Sequence, residues 1–243
     1  MRTTRLYHPE KLSCGKIVTL DANNSGHLIR VLRTQPGSEV VLFDGSGYDF
    51  HCTTIDADPK KTHLDVLSSE RVVNESSLST TLIQGISRND RMDASIQKAV
   101  ELGINKIIPL LCERSNYRVS SDRTNKKHEH WNKIAISACE QSCRSSIPQI
   151  TDITPLRDID QVVDSDALKI LLNPRSKTTL NDISCSQKSV EIIVGPEGGL
   201  SDAEIQTLES KQFCSVRFGP RILRTETTGP AVLSAVQVLW GDM

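Results

Sequence analysis

Hydrophobic and polar positions change rhythm about a third of the way along the chain. Over residues 1–72 the apolar residues fall in short runs rich in β-branched and aromatic side chains: Lys16–Leu20, Glu39–Phe43, Tyr48–Ile55 and Thr62–Leu67. Pro36-Gly37, Asp44-Gly45 and Asp58-Pro59 punctuate them, which predicts short strands joined by turns. Strands so closely spaced predict a small antiparallel barrel.

Beyond the polar stretch Asn74-Glu75-Ser76-Ser77 the pattern becomes strand and helix in alternation. Thr80–Ile86, Lys106–Leu111, Leu168–Asn173, Val190–Gly195 and Ser215–Gly219 read as strands. Arg91–Leu102 puts Met92, Ile96, Ala99 and Val100 on one helical face, with Gly103 placed to end it. Trp131, Ile134, Ala135 and Ala138 stripe a second helix that stops before Pro148, and a third starts near Ala203. The alternation predicts a mostly parallel sheet covered by helices. The expected organisation is a β domain over residues 1–72 followed by an α/β domain over 73–243.

The final helix, expected from Pro230 to about Trp240, is apolar round most of its circumference. Such a helix must be buried, in the core or against a partner, and periodicity does not choose between them.

Composition narrows the class. Hydrophobic residues make up 37% of the chain and charged residues 24%, as in a globular protein. No apolar run approaches the ~20 residues of a membrane span. Met1-Arg2-Thr3-Thr4-Arg5 leads into no apolar signal region, so the expected location is cytoplasmic. Seven cysteines without a C-x-x-C pair fit reduced thiols. Cys139 and Cys143 with His128 and His130 match no common zinc spacing, so packing thiols and solvated histidines are expected and no metal.

A net charge of −1 does not mark a nucleic-acid binder, but its distribution matters more than its sum. Arg2, Arg5, Lys11, Lys16, Arg30 and Arg33 outnumber Glu10 and Asp21 in the first stretch. Arg114, Arg118, Arg123, Lys126 and Lys127 outnumber Glu113 and Asp122 in another, and Arg217, Arg221 and Arg224 form a third cluster. Phosphate binding sums over many such contacts. Arg5, Arg30 and Arg33, with Arg88, Arg91 and Arg114, are the candidate phosphate contacts.

The chemistry concentrates in two loops near the C-terminus. Ile192-Ile193-Val194-Gly195-Pro196-Glu197-Gly198-Gly199-Leu200 and Phe218-Gly219-Pro220-Arg221-Ile222-Leu223-Arg224-Thr225-Glu226-Thr227 each run from an apolar strand into a glycine-bearing loop. Open α/β sheets bind ligands beyond the carboxyl ends of their strands, so the two loops read as two walls of one pocket. Neither G-x-G-x-x-G nor G-x-x-x-x-G-K-[ST] occurs. Glu197 stands where a phosphate cradle would want backbone N–H groups and a lysine, which argues for a ligand with hydroxyl or amino donors. Ser201-Asp202-Ala203-Glu204 is also a capping box, so the first loop doubles as a helix start.

These loops resemble the cofactor loops of the SPOUT class of S-adenosylmethionine-dependent RNA methyltransferases. More narrowly, the chain resembles those acting on N3 of a uridine in 16S small-subunit ribosomal RNA. Arg91-Met92, Gln97 to Gly103, Glu113-Arg114-Ser115, Trp131 to Ala135, Ala138 to Ser142, Arg144, Arg5-Leu6-Tyr7 and Arg30 to Arg33 extend the resemblance along the whole chain. It implies a PUA-like RNA-binding barrel, a trefoil-knotted sheet with helices on both faces, a homodimer, S-adenosylmethionine as cofactor, and ribosomal RNA or the small subunit as partner. Asn173, Pro174, Gly195, Pro196, Glu197, Gly198, Gly199, Ile222, Leu223, Thr225 and Thr227 would enclose the cofactor. Glu197 would accept from ribose or amino donors. Arg224 would stabilise the uracil oxygens or a phosphate, and Glu226 would serve as base. Thr227-Thr228-Gly229-Pro230, where the class tends to continue Thr-Ala, and Ser87-Arg88-Asn89-Asp90, without the lysine common in that loop, depart from the pattern. The alternatives are the same cofactor chemistry on another base or RNA, and a non-catalytic RNA-binding assembly factor. The intact loops argue against the second.

Overall fold

Residues 4–115 and 121–243 are described by a computed structural model, which divides the chain into two compact units. Of the basic clusters, Arg2, Arg118 and the side chain of Arg123 lie outside the described residues, as does the side chain of Asp122.

The first unit comprises residues 1–75 and 139–147. Its strands are β1 (Thr4–Tyr7), β2 (Ile17–Thr19), β3 (Glu39–Phe43), β4 (Tyr48–Thr54) and β5 (His63–Arg71), in the order β1-β3-β4-β5-β2. Pairing is antiparallel except between β1 and β3, where the expected all-antiparallel pattern gives way to a parallel pair. Leu6, Val40, Leu42, Phe50, Cys52, Leu64 and Val66 alternate inward from four strands into one core, and Val18 of β2 packs against it. β1 was too short to show a period; its place comes from pairing with β3. Between β2 and β3, Asp21 accepts the N–H groups of Asn23 and Asn24 and caps α1 (Ala22–Gly26), which runs into a π-helical turn, His27–Val31. Arg5 pairs with Asp49 and donates to Ser145 Oγ at 2.9 Å, while Arg144 pairs with Glu75 at 2.6 Å. The Arg5–Ser145 hydrogen bond and the Arg144–Glu75 pair tie residues 139–147 into the unit.

The second unit comprises residues 76–138 and 148–243. Its elements are β6 (Ser79–Gly85), α2 (Asn89–Glu101), β7 (Lys106–Leu111), α3 (Ser121–Ser142, its last turn counted with the first unit), β8 (Gln149–Ile150), β9 (Thr154–Pro155), β10 (Leu168–Leu172), β11 (Ser189–Val194), α4 (Asp202–Ser210), β12 (Cys214–Val216) and α5 (Thr225–Trp240). The sheet is parallel throughout, in the order β12-β10-β11-β6-β7-β8, with β9 also on β7. Its central strands are covered on both sides, which is why they read as continuous apolar runs. Ile83, Ile108, Leu171 and Ile193 cluster with Leu208 of α4. On the other face α5 packs against α2, β6 and β11.

Two boundaries differ from expectation. β12 stops at Val216, three residues early, because the chain leaves the sheet to form a loop wall. Helix α5 starts at Thr225 rather than Pro230, its first turn closed by the N–H groups of Thr227 and Thr228 on the Arg224 carbonyl, both at 2.9 Å. Pro230 therefore sits inside the helix, where it leaves the Glu226 carbonyl without its usual donor.

Candidate active site

The carboxyl ends of β10, β11 and β12 open into a cavity of about 870 Å³. One wall is the loop after β11. A Cβ on Gly85, at the end of β6, would lie 2.5 Å from the nitrogen of Pro196, so only glycine lets this loop pass. Gly199 takes φ +67°, and the chain then enters α4 through the Ser201–Glu204 capping box. The opposite wall is the segment from β12 to α5, fastened by Arg217 N–H to the Thr178 carbonyl at 2.8 Å. Asn173 turns the end of β10 by accepting Arg175 N–H at 3.0 Å while its own N–H donates to Val216 at 2.9 Å.

Apolar side chains, among them Leu172, Val194, Leu200, Ile205, Val216 and Leu223, line the cavity. Its charged lining is Arg91, Arg114, Arg175, Arg217, Arg221 and Arg224 against Glu197 and Asp202, a net positive site. Arg175 hydrogen-bonds Asp202 and holds its carboxyl below the usual range. Arg114 donates to the Gly198 carbonyl at 3.1 Å and so braces the glycine loop.

Around one edge of the site the charges are interlocked. Glu197 Oε1 accepts the backbone N–H of Arg88 at 2.9 Å, and Arg91 Nη1 stands 3.6 Å from the same oxygen. Arg91 Nε lies 3.9 Å from Glu226 Oε1. Glu226 Oε2 is buried with no hydrogen-bond partner among the described residues, and Glu226 is not among the residues lining the cavity. The carboxylate expected to face substrate is turned toward α2 instead. Thr225 donates its hydroxyl to the Gly195 carbonyl at 2.9 Å, joining the two walls.

An RNA methyltransferase domain model matches residues 74–237, and an RNA methyltransferase PUA domain model matches residues 20–67. Ribosomal RNA small subunit methyltransferase E of Buchnera aphidicola from Schizaphis graminum is 32% identical over 242 residues, which is 100% of this chain and 98% of that one. The chain belongs to the ribosomal RNA small subunit methyltransferase E family. The Bacillus subtilis member is 30% identical over 228 residues, 89% of each chain. A solved member from Neisseria gonorrhoeae, bound to S-adenosyl methionine, is 37% identical, covers 100% of both chains and gives a TM-score of 0.92. The PUA-like unit followed by a mostly parallel α/β sheet is thus the architecture of this family.

Within the family frame, Asn173, Pro174, Gly195, Pro196, Glu197, Gly199, Ile222, Leu223, Arg224, Thr225, Arg91 and Arg114 all line the cavity. Gly198, Thr227 and Arg88 do not, although Gly198 and Arg88 hold its wall through backbone groups. Glu197 was expected to take ligand donors; one of its oxygens is occupied by Arg88 and Arg91. Arg5 is a correction of another kind. Its side chain is 9% exposed and bound to Asp49 and Ser145, so it holds the fold rather than facing a phosphate. Arg30 and Arg33 are exposed and form no ion pair among the described residues. Of the residues considered for zinc, His130 pairs with Asp93 at 2.8 Å, His128 meets the Ile150 carbonyl at 2.8 Å, and burial pushes the Cys139 thiol up to about 11. Sequence reasoning missed Arg175 and Thr228 as lining residues. Arg175 directly follows Asn173-Pro174 at a strand's carboxyl end, a signal that could have found it.

Proposed function

We propose that this chain transfers a methyl group from S-adenosylmethionine to N3 of a uridine in 16S small-subunit ribosomal RNA. The observation that carries the reading is the cavity between the two glycine loops, beyond the carboxyl ends of β10, β11 and β12, with Arg224 on its lining. The cavity suits an adenosyl group joined to an amino acid: its apolar side chains suit a ring, and Gly195 and Gly199 on its lining let backbone come close to a ligand. About 870 Å³ is ample for a cofactor and part of a nucleotide. Bound there, S-adenosylmethionine supplies a methyl group already activated by its sulfonium.

The residues have two tasks. Asn173, Gly195, Pro196 and Leu223 hold and orient the cofactor. Arg224 meets the oxygens of the uracil, stabilising the negative charge that develops as N3 loses its proton, and the amino end of α5 adds to that field. N3 lies on the Watson–Crick edge, so the base is taken unpaired or flipped out. Glu226 acts through Arg91, keeping it between the two carboxylates. Arg30, Arg33, Arg217 and Arg221 contact RNA phosphates.

The active form is a homodimer. Val238 and Leu239 on α5 are 64% and 47% exposed, beside a groove of about 420 Å³ lined also by Leu180, Phe218 and Ala235. A second copy is the proposed cover for that apolar face. The site of action is the cytoplasm, in keeping with seven free cysteines; no helix among the described residues is long and apolar enough to cross a membrane.

The test is methyl transfer from labelled S-adenosylmethionine to small ribosomal subunits lacking the modification, followed by nucleoside analysis. The expected product is 3-methyluridine. Another methylated nucleoside would overturn the target, and cofactor binding without transfer to subunits or naked RNA would overturn the catalytic reading.

A further inference from the structure

We propose that Gln84 is a positioning residue that holds the two walls of the cavity at a fixed separation through the Thr225 hydroxyl, an inference resting on the cavity being the S-adenosylmethionine site. Gln84 is the penultimate residue of β6 and is fully buried. Its Nε2 donates to Thr225 Oγ1 at 2.9 Å and to the Gly85 carbonyl at 3.1 Å. Thr225 Oγ1 donates in turn to the Gly195 carbonyl at 2.9 Å. Thr225 opens α5, Gly195 opens the glycine loop, and both line the cavity. Three segments remote in sequence meet on one hydroxyl.

Proton counting fixes the direction of this relay. A threonine hydroxyl has a single proton, and here it goes to Gly195. Thr225 can therefore only accept from Gln84, which sets the amide with its nitrogen toward Thr225. Flipped, the amide oxygen would face the Gly85 carbonyl and compete with Gly195 for the hydroxyl proton. This orientation leaves Gln84 Oε1 buried with no hydrogen-bond partner among the described residues. Gly229 closes over it, since a Cβ there would lie 3.6 Å from that oxygen. An orphaned buried oxygen is unfavourable, and an apolar side chain of similar length would avoid it. Packing alone would be served as well by methionine. The amide is useful for its donor.

Gln84 does not itself line the cavity, so its influence on a ligand passes through the walls. With the donor gone, Thr225 is free to rotate, the Gly195 carbonyl loses its partner, and the glycine loop is no longer tied to the start of α5. The geometry presented to the cofactor loosens while the apolar core beneath is unchanged.

The experiment uses the full chain with Gln84→Met, Thr225→Val, the double variant, and Thr225→Ser, which keeps the hydroxyl. Affinity for S-adenosylmethionine is measured by calorimetry, kcat and KM by methyl transfer, and folding by thermal melting. Loss of one buried hydrogen bond predicts that Gln84→Met and Thr225→Val each weaken cofactor binding about tenfold. KM should rise more than kcat falls, melting should stay near that of the unmodified chain, and Thr225→Ser should restore affinity. The double variant should be no worse than either single one, because both remove the same relay. Unaltered affinity in a folded Gln84→Met variant, or additive losses in the double, would overturn the proposal. Should Gln84→Met fail to fold, unaltered affinity in Thr225→Val would do the same. Absence of binding by the unmodified chain would overturn the cofactor reading and the relay's role with it. Failure of the relay alone looks different: the unmodified chain binds, and so do its variants, equally well.

Discussion

Glu197 crosses from the loop after β11 to accept the backbone N–H of Arg88 at 2.9 Å, the first residue before α2. In a capping box that bond comes from a carboxylate at the third helical position. Here the third position is Arg91, and Arg88 makes no capping bond of its own. The missing carboxylate arrives from another segment, and Arg91 returns toward it at 3.6 Å. One side chain thus serves both a helix start and a wall of the cavity. Glu197→Ala should destabilise the chain by about 1 kcal/mol, the usual worth of a cap, and weaken cofactor binding. Glu197→Gln keeps an acceptor and should recover most of the stability. Urea unfolding with cofactor titration checks both; equal losses in the two variants would mean that charge, not capping, is what matters.

Arg224 lines the cavity at the mouth of α5. If it stabilises charge that develops only during transfer, Arg224→Ala should slow single-turnover methylation by ~10²–10³-fold, the range for losing one such donor. Cofactor affinity should change far less. Glu226→Gln should have a smaller effect on the rate, since Glu226 lies off the cavity. A larger loss for Glu226→Gln would restore it as the base.

Arg5 and the pair Arg30 and Arg33 should separate cleanly. Arg5→Ala leaves Asp49 buried without its cation, and breaking a buried pair typically costs 3–5 kcal/mol, so about that much stability should be lost. Arg30→Ala and Arg33→Ala should leave stability nearly unchanged and flatten the salt dependence of RNA binding by about one unit of slope each. Filter binding across a salt series, beside melting curves, distinguishes the two classes.

Glu191 is 2% exposed, with one oxygen accepting Asp164 N–H at 2.9 Å and the other without a partner among the described residues. Burial pushes its carboxyl above the usual range, against the opposing pull of the Asp164 bond, Lys169 and Lys106. The folded chain thus keeps a proton over a window in which the unfolded chain has lost it. That contribution is full at pH below the unfolded carboxylate range and is lost as pH rises through the folded value. Glu191→Gln should therefore gain stability on the unmodified chain as pH rises above the ordinary carboxylate range. A difference in unfolding midpoint that does not vary with pH would count against this.

Val238→Asp with Leu239→Asp places charge on the exposed face of α5. If a second copy covers that face, the variant should sediment as a monomer while keeping its helical content. A variant that sediments as the unmodified chain does would count against a second copy on that face.

Much of the fold was legible. Strands β6, β7, β10, β11 and β12 and helix α2 follow from apolar periodicity, and the two glycine loops from composition at strand ends, because each is a short local pattern; the two-residue strands β8 and β9 are too short to show one. β1 was too short to show a period and formed only on β3. Pro230 marked a helix start by local rule, yet α5 begins at Thr225, where the Arg224 carbonyl and Gln84 fasten its first turn.

Residue types and their spacing determined which segments become most of the strands, where the chain must bend tightly, and that two loops wall one cavity. Tertiary structure decided which charges are free. Arg5 looks like Arg30 in sequence, but one meets Asp49 in the interior and the other meets solvent. Glu226 sits one residue from the cavity lining and still turns toward Arg91. Periodicity is written into neighbours along the chain, whereas an ion pair or a shared hydroxyl depends on residues that only folding brings together.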